Sequence, residues 1–409
     1  MSFVSKTTDR FVSEWNASPS VVAQFQLPKR VVLNDLTLRE GRQVEGLVVT
    51  PESMREVATE LVAAGVPMIQ LHHTKEHIET IGAMNLGIRT EVLTRSPGQS
   101  PPFTVDAHKQ RIDFVLDQGL GLDLCFGTSD QLLLARQVLR HDDGTMESLR
   151  DREISAAVEC VAYAKSQGGF VGTNLQDFLR ADFDYLLRYC RELQQAGVDL
   201  ITLDDFAAPA IPAVYRHVFG LLKAEFPELA FGIHVTNDFG LATALVLAAM
   251  EGGAEVLDVG VNGYGERAGH ADLAEVAVAV EVFYGLETGI ELEGLKQLSE
   301  KIASIQGLPV SRTKPLVGEN AFADVTDTHY IYESHPWIFR AIAPEMIGNR
   351  RRVAVAGASG VAVISAKASE LGIQLSAEEV QQKLKEVQRA LATGRRPLSD
   401  EELATLLQP

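Results

Sequence analysis

VVLNDLTLREGRQ, residues 31–43, opens as an apolar run and closes in a burst of charge. A strand buried in a parallel sheet reads as a short continuous apolar run, and the polar residues behind it mark the loop it feeds. The same figure recurs at PMIQL (67–71), TEVLT (90–94), LDLCF (122–126), FVGTN (170–174), DLITL (199–203), AFGIH (230–234) and EVLDVGV (255–261). Between these runs lie helix-periodic segments such as ESMREVATELVAAG, REISAAVECVAYAKSQG and FDYLLRYCRELQQAG. Several close on the glycine that follows a helix C-terminus. Strand–helix units repeated in this way over about 250 residues predict a closed (β/α)8 TIM barrel. An open doubly wound sheet is the competing reading. It uses fewer strands, and no GxGxxG follows the first strand as its dinucleotide-binding version requires.

Outside the repeating units, residues 1–27 read as a loosely packed N-terminal arm, 28–288 as the barrel, and 289–409 as a C-terminal linker with α-rich subdomains. In the last part SAEEVQQKLKEVQRALATG (376–394) is an amphipathic helix, with Ser376 as N-cap and Glu379 as its capping-box partner. The 409 residues are 46% hydrophobic and carry a net charge of −18, which argues against nucleic acid or an anionic membrane surface as partner. Cys125, Cys160 and Cys190 are dispersed, without the spacing of a disulfide framework or a zinc finger, which fits a reducing cytoplasm. The N-terminus lacks the apolar core of a signal peptide, and no apolar run approaches the roughly 20 residues of a membrane helix. LATALVLAAM reads as a short buried helix.

In such a barrel chemistry belongs where strands end and the following loops begin. Strand 1 ends in Asp35, with Arg39, Glu40 and Arg42 just beyond. Strand 7 ends in HVTND (234–238), where His234 and Thr236, two apart, share a side of an extended chain. After strand 8 comes NGYGERAGH (262–270), a glycine-rich turn that finishes in His270. Closure makes strands 7, 8 and 1 neighbours, so Asp35, His234 and His270 are expected at one rim. One carboxylate and two imidazoles suit a divalent cation with open positions. Strand 6 offers Asp204 or Asp205 as a ligand or as an orienting group for a histidine. Strand 5 leads to Asp177 and Arg180, and Arg180 either clamps a carboxylate or lies on a helix surface. His72 and His73 follow strand 2, at least one of them facing the mouth.

These segments have a familiar pattern. DLTLREGRQ (35–43) resembles the DxTLR[DE]GxQ signature of the DRE-TIM metallolyase barrels, which include the isopropylmalate, homocitrate and citramalate synthases and the hydroxymethylglutaryl-CoA lyases. TSD (128–130), HVTNDFGLATA (234–244) and VNGYGERAG (261–269) follow in the order and spacing of that family. RTKPLVGENAFADVTDTH (312–329) resembles the linker of the synthases, where KPxVGxxAFxHxxGIH is usual and which the lyases lack. The resemblance implies a Claisen-type condensation of an acyl-CoA, acetyl-CoA foremost, with a 2-oxo acid. A divalent metal (Zn, Mn or Mg) held by Asp35 and His234 would receive the 2-oxo acid. Arg39 would stabilise the alkoxide, and Glu40 stands where the family has a catalytic carboxylate. His329, with Tyr332 nearby, matches the catalytic histidine that a homodimer brings over the partner's barrel. Arg42, His72, Arg180, Asp205 and Thr236 are the expected substrate contacts.

The departures from the family cluster at the same rim. The second histidine of HxH is Thr236, and the asparagine after GERAG is His270, which implies that His270 supplies the imidazole Thr236 lacks. A threonine after strand 6 is Asp205, Arg42 precedes Gln43 in place of an acidic or neutral residue, His72 replaces a glycine, and GKHSG is AGASG (356–360). A kept scaffold with a rebuilt site implies a non-standard substrate, as in secondary metabolism. Two further readings remain. One is a CoA-independent metal-dependent lyase or hydrolase using Asp205 and His72. The other is an inactive paralogue, motivated by Thr236.

Overall fold

The computed structural model describes residues 9–95, 105–140, 144–332 and 335–408. All eight apolar runs become strands: β1 (Val32–Asp35), β2 (Met68–His72), β3 (Arg89–Arg95), β4 (Gly121–Gly127), β5 (Val171–Gln176), β6 (Leu200–Asp205), β7 (Phe231–Val235) and β8 (Val256–Val259). Each pairs in parallel with its sequence neighbour, and β8 closes on β1, so the sheet is a TIM barrel without an edge.

The helices between the strands begin where their sequences supply caps. Thr50 and Ser53 form a reciprocal capping box ahead of Pro51–Ala63. Thr145, Asp182 and Asp272 each accept a hydrogen bond from the backbone N–H three residues on. Each such cap is worth about 1 kcal/mol and fixes where a helix enters the outer ring.

Strand alternation sorts the interior. Gln70 on β2 donates to Asp123 on β4 at 2.9 Å, reaching past β3, which only a side chain in the lumen can do. Counting in twos from such residues places Asn34, Gln70, Glu91, Asp123, Asp204, His234 and Asp258 inside the barrel. Beneath them Met68, Leu200 and Val256, with Val32, Phe170 and Ala230, form an apolar floor. A TIM barrel interior is normally filled by branched apolar side chains. Here the layer above the floor is polar and acidic.

The contacts divide the described residues into a unit within 15–309 and a unit made by 9–14 with those from 310 onward. The sequence boundary at 288/289 therefore moves, for a physical reason. The helix Leu295–Gln306 buries Leu295, Leu298 and Ile302, and Ser299 exchanges hydrogen bonds with the buried Asn262 at the end of β8, so it belongs to the barrel. Gln26 likewise donates its backbone N–H to Glu251, which ties the end of the expected N-terminal arm to the barrel.

In the other unit a short parallel pair, β9 (Ala323–Asp324) and β10 (Arg352–Val353), accompanies helices Asp327–Ile331, Val361–Glu370, Ala377–Gly394 and Asp400–Leu407. Its core is Ile364, Ala368, Val380, Val387, Leu403 and Leu407. Ser376 and Glu379 form the expected capping box.

Candidate active site

A cavity of about 520 Å³ opens at the C-terminal ends of the strands. Arg39, Glu40, His72, Asp204, His234 and Thr236 line its polar side, and Leu93, Leu132, Ala135 and Leu139 its apolar side.

The turn after β1 carries Arg39 and Glu40 inward. Both are about 5% exposed, and Arg39 Nη2 lies 3.3 Å from Glu40 Oε1. Arg39 Nε and Nη1 are buried without hydrogen-bond partners among the described residues. Two donors of one guanidinium are therefore left to meet an anion in the cavity. Burial by itself would raise the Glu40 carboxyl, but Arg39, His234 and His270 outweigh it and hold the group down at about 2.

Glu40 Oε1 stands 3.9 Å from His234 Nε2. On its other side His234 Nδ1 lies 3.3 Å from Asp258 Oδ2, and Asp258 Oδ1 accepts from Asn34 Nδ2 at 2.8 Å. A carboxylate behind one imidazole nitrogen fixes the tautomer and leaves the other nitrogen's lone pair facing the cavity. Burial lowers the His234 imidazole, but Asp204 and Asp258 overcome that and raise it. Asp204 is itself raised by burial, and its Oδ1 has no partner among the described residues.

His270 is set beside this pair by glycines. Gly269 has φ +80°, and a Cβ there would lie 1.9 Å from the Gly263 carbonyl oxygen, so only glycine closes the turn. The ring then fills the space that side chains at Gly260 and Gly265 would occupy: a Cβ at Gly260 would meet His270 Nε2 at 2.5 Å. The ring centroids of His270 and His234 are 6.1 Å apart. Neither ring nitrogen of His270 has a well-formed hydrogen bond among the described residues, and burial lowers its pKa to about 4, so it is neutral near pH 7.

Among the described residues no group of three His, Cys, Asp or Glu side chains closes to metal-ligand spacing. The pair Glu40–His234 does fit one cation, since two donors each about 2.0–2.2 Å from a shared ion stand at most about 4.3 Å apart. In this pair His234 is backed by a carboxylate, and beside it stands the neutral imidazole of His270, donor types that a divalent cation accepts.

The other expected residues divide. His72 and Thr236 line the cavity; Thr236 Oγ1 donates to Asp238 Oδ2 at 2.5 Å. Asp35 does not. Alternation turns it away from the lumen, where Oδ1 accepts the Thr37 N–H at 2.8 Å and burial raises its carboxyl to about 7. The carboxylate that stands beside His234 at the cavity is Glu40 and not Asp35. Asp205 also faces outward, accepting from Tyr215 Oη at 2.6 Å and from the Ala207 and Ala208 N–H groups, so it stabilises the loop after β6 and is no substrate contact. Arg42 donates to Thr74 Oγ1 at 2.7 Å, and the half-exposed Arg180 pairs with Asp177 at 2.6 Å; neither lines the cavity. His329 and Tyr332 lie in the C-terminal unit, exposed and against Phe339, with ring centroids 4.3 and 5.9 Å from it. Sequence reasoning missed Asn34 and Asp258. The signal for them was parity, since each shares the strand face that points at His234.

Comparison with known proteins bears on the family and the fold. The sequence profile described as HMGL-like matches residues 30–302. The 2-isopropylmalate synthase of Methanocaldococcus jannaschii is 31% identical over 359 residues, 86% of this chain, which spans 65% of that protein's length. Homocitrate synthase AksA of Methanopyrus kandleri is 29% identical over 95% of this chain and 94% of its own. The homocitrate synthase of Sulfolobus acidocaldarius is 30% identical over 88% of this chain and 75% of its own. Among solved structures, hydroxymethylglutaryl-CoA lyase from Pseudomonas aeruginosa superposes with a TM-score of 0.57 at 18% identity, covering 69% of this chain and 95% of that one, a likeness of fold.

Proposed function

The chain belongs to the HMGL-like family, and from that premise we propose that it is an acyltransferase-type enzyme that condenses an acyl-CoA, acetyl-CoA foremost, with a 2-oxo acid. Its synthase-named relatives run into the C-terminal unit as well as the barrel, which supports a synthase over a lyase. The observation that carries the reading is Arg39 with two unpartnered buried donors beside the Glu40–His234 pair, all at the mouth of one cavity.

Glu40 and His234, with His270 adjacent, would hold a divalent cation (Zn, Mn or Mg), which supplies Lewis acidity toward a keto oxygen. Arg39 orients the 2-oxo acid and stabilises the charge that grows on its keto oxygen as the new C–C bond forms. Asp258 and Asn34 keep His234 in one tautomer. Leu132, Ala135 and Leu139 give the cavity an apolar side for the non-reacting part of a substrate. His329, assisted by Tyr332 and delivered by a second subunit of a homodimer, moves the proton taken from the acyl methyl group. Thioester hydrolysis then releases the thiol and pulls the reaction forward.

The test is thiol release from acetyl-CoA across a panel of 2-oxo acids from pyruvate to 2-oxoglutarate, with and without Mn²⁺ or Zn²⁺. Release that needs both the 2-oxo acid and the cation is expected. No release from any pair would sink the reading, and consumption of a 2-oxo acid without any CoA ester would replace it with CoA-independent cleavage.

A further inference from the structure

His329 sits on a helix of five residues, Asp327–Ile331, too short to persist unaided. Its N-cap Thr326 accepts only a long hydrogen bond, 3.5 Å from the His329 N–H. The segment before it is tied down: Asp324 binds Arg340 at 2.7 Å, and Ser359 Oγ, 2% exposed, donates to the Val325 carbonyl at 2.7 Å. The helix itself meets the N-terminus of Val361–Glu370 through the Asp327 side chain. Asp327 Oδ1 accepts the Gly360 and Val363 N–H groups at 3.1 and 3.0 Å, and Oδ2 accepts the Ala362 N–H at 3.1 Å. These are the leading N–H groups of the ten-residue helix Val361–Glu370, so a carboxylate is held by three donors at the positive end of a helix dipole.

Gly360 is what lets Asp327 in. A Cβ at Gly360 would stand 2.3 Å from Asp327 Oδ2 and 2.7 Å from its Cγ. The Gly360 backbone is extended, at φ −110° and ψ −161°, a conformation alanine adopts freely. Glycine there serves the carboxylate and not the chain.

We propose that Asp327 is the positioning residue of His329: its carboxylate clamps the short helix to the N-terminus of Val361–Glu370 and fixes where the imidazole, two residues on, is presented. The proposal rests on His329 being the proton-transfer group of the function above. It adds that the group's placement is set by an ion–dipole clamp outside the barrel, with Asp327 touching no substrate.

Two substitutions release the clamp by different routes. Asp327→Ala removes the carboxylate; Gly360→Ala leaves it in place and blocks its seat. In the full-length chain both are expected to raise hydrogen–deuterium exchange over 327–332 while residues 364–370 keep wild-type protection. Both should lower kcat for thiol release from acetyl-CoA by on the order of 10- to 100-fold, the usual effect of a misplaced catalytic group. KM for the 2-oxo acid should stay within about twofold. Asp327→Asn, which still offers one acceptor oxygen, should recover part of the loss. The cycle with His329→Ala separates positioning from general support, because Asp327→Ala should add nothing once the imidazole is gone. Unchanged exchange over 327–332 overturns the proposal. So does a further drop of the residual rate in the double variant equal to that in the wild type. Wild-type turnover by His329→Ala alone instead overturns the reading of His329, and the exchange measurement then judges the clamp by itself.

Discussion

Asp35→Asn separates the two carboxylates at the end of β1. Asp35 is fully buried, and its carboxyl is raised from 3.8 to about 7 by burial, with Asp272 adding to the shift and Thr37 opposing it. The native protein therefore carries a proton there that the unfolded chain has released. The stability linked to that proton is complete below about pH 4 and disappears as pH rises through about 7. A shift of about three units at 1.36 kcal/mol each gives an upper figure of about 4 kcal/mol. Asparagine keeps an acceptor for the Thr37 N–H and carries no charge, so the variant should lose this dependence. The measurement is urea unfolding of both proteins at about pH 5 and about pH 8, paired with metal content after dialysis. Asp35→Asn should gain relative to the wild type as pH rises and hold its metal unchanged. A variant that loses its metal, or that follows the pH profile of the wild type, would refute the placement of Asp35 behind the barrel wall.

Glu40→Gln should do the opposite: metal affinity, read by calorimetry with Mn²⁺, should fall by more than the roughly 10- to 100-fold usual for losing a supporting contact. Because Arg39 is then left buried without its carboxylate, stability should also fall by about 3–5 kcal/mol in chemical denaturation. Asp258→Asn removes the partner of His234 Nδ1 and should weaken the same metal by about 10- to 100-fold; an unchanged isotherm would detach Asp258 from the site. Gly260→Ala drives a methyl group to within 2.5 Å of His270 Nε2 and should displace that ring, lowering metal affinity as His270→Asn does. If His270 stands in for the imidazole absent at position 236, Thr236→His should restore affinity in either background, and its failure to do so would break the link between the two positions.

The eight strands were legible because a strand covered on both faces must be apolar throughout, and the runs ending at Asp35, His234 and Val261 satisfied that. What the sequence did not disclose was parity. Asp35 and Asp205 are the final residues of β1 and β6; the sequence puts Asp35 at the mouth and leaves Asp204 or Asp205 open there, with Asp205 the substrate contact that the resemblance implies. In both strands the inward residue is the one before, Asn34 and Asp204. A slip of one residue turns a strand's side chains to the other face, so the outward placement of Asp35 and of Asp205 has one cause. Counting in twos from His234 across neighbouring strands gives both. The position of His270 was legible, but the three glycines that make room for it acquire meaning only when a ring is seen between them. The helix Leu295–Gln306 was assigned past the barrel because the strand–helix rhythm ends before it. Its apolar face, Leu295, Leu298 and Ile302, shows no address in the sequence alone.

Below the cavity, Glu91 Oε1, Asp123 Oδ1, Gln70 Oε1 and Asn34 Oδ1 are all buried oxygens without hydrogen-bond partners among the described residues. Burial raises the carboxyls of Glu91, Asp123 and Asp204, Asp123 to about 7, so part of this layer is protonated near neutral pH, and its lumen-facing oxygens still favour a cation over an anion. The consequence is an order of arrival. An anionic 2-oxo acid entering first meets a layer of acceptor oxygens with Arg39 to offset it, whereas a divalent ion entering first is drawn to those oxygens and adds positive charge beside Arg39. Loading should therefore be compulsory and sequential, with titration by 2-oxo acid silent until Mn²⁺ is present and saturable afterwards.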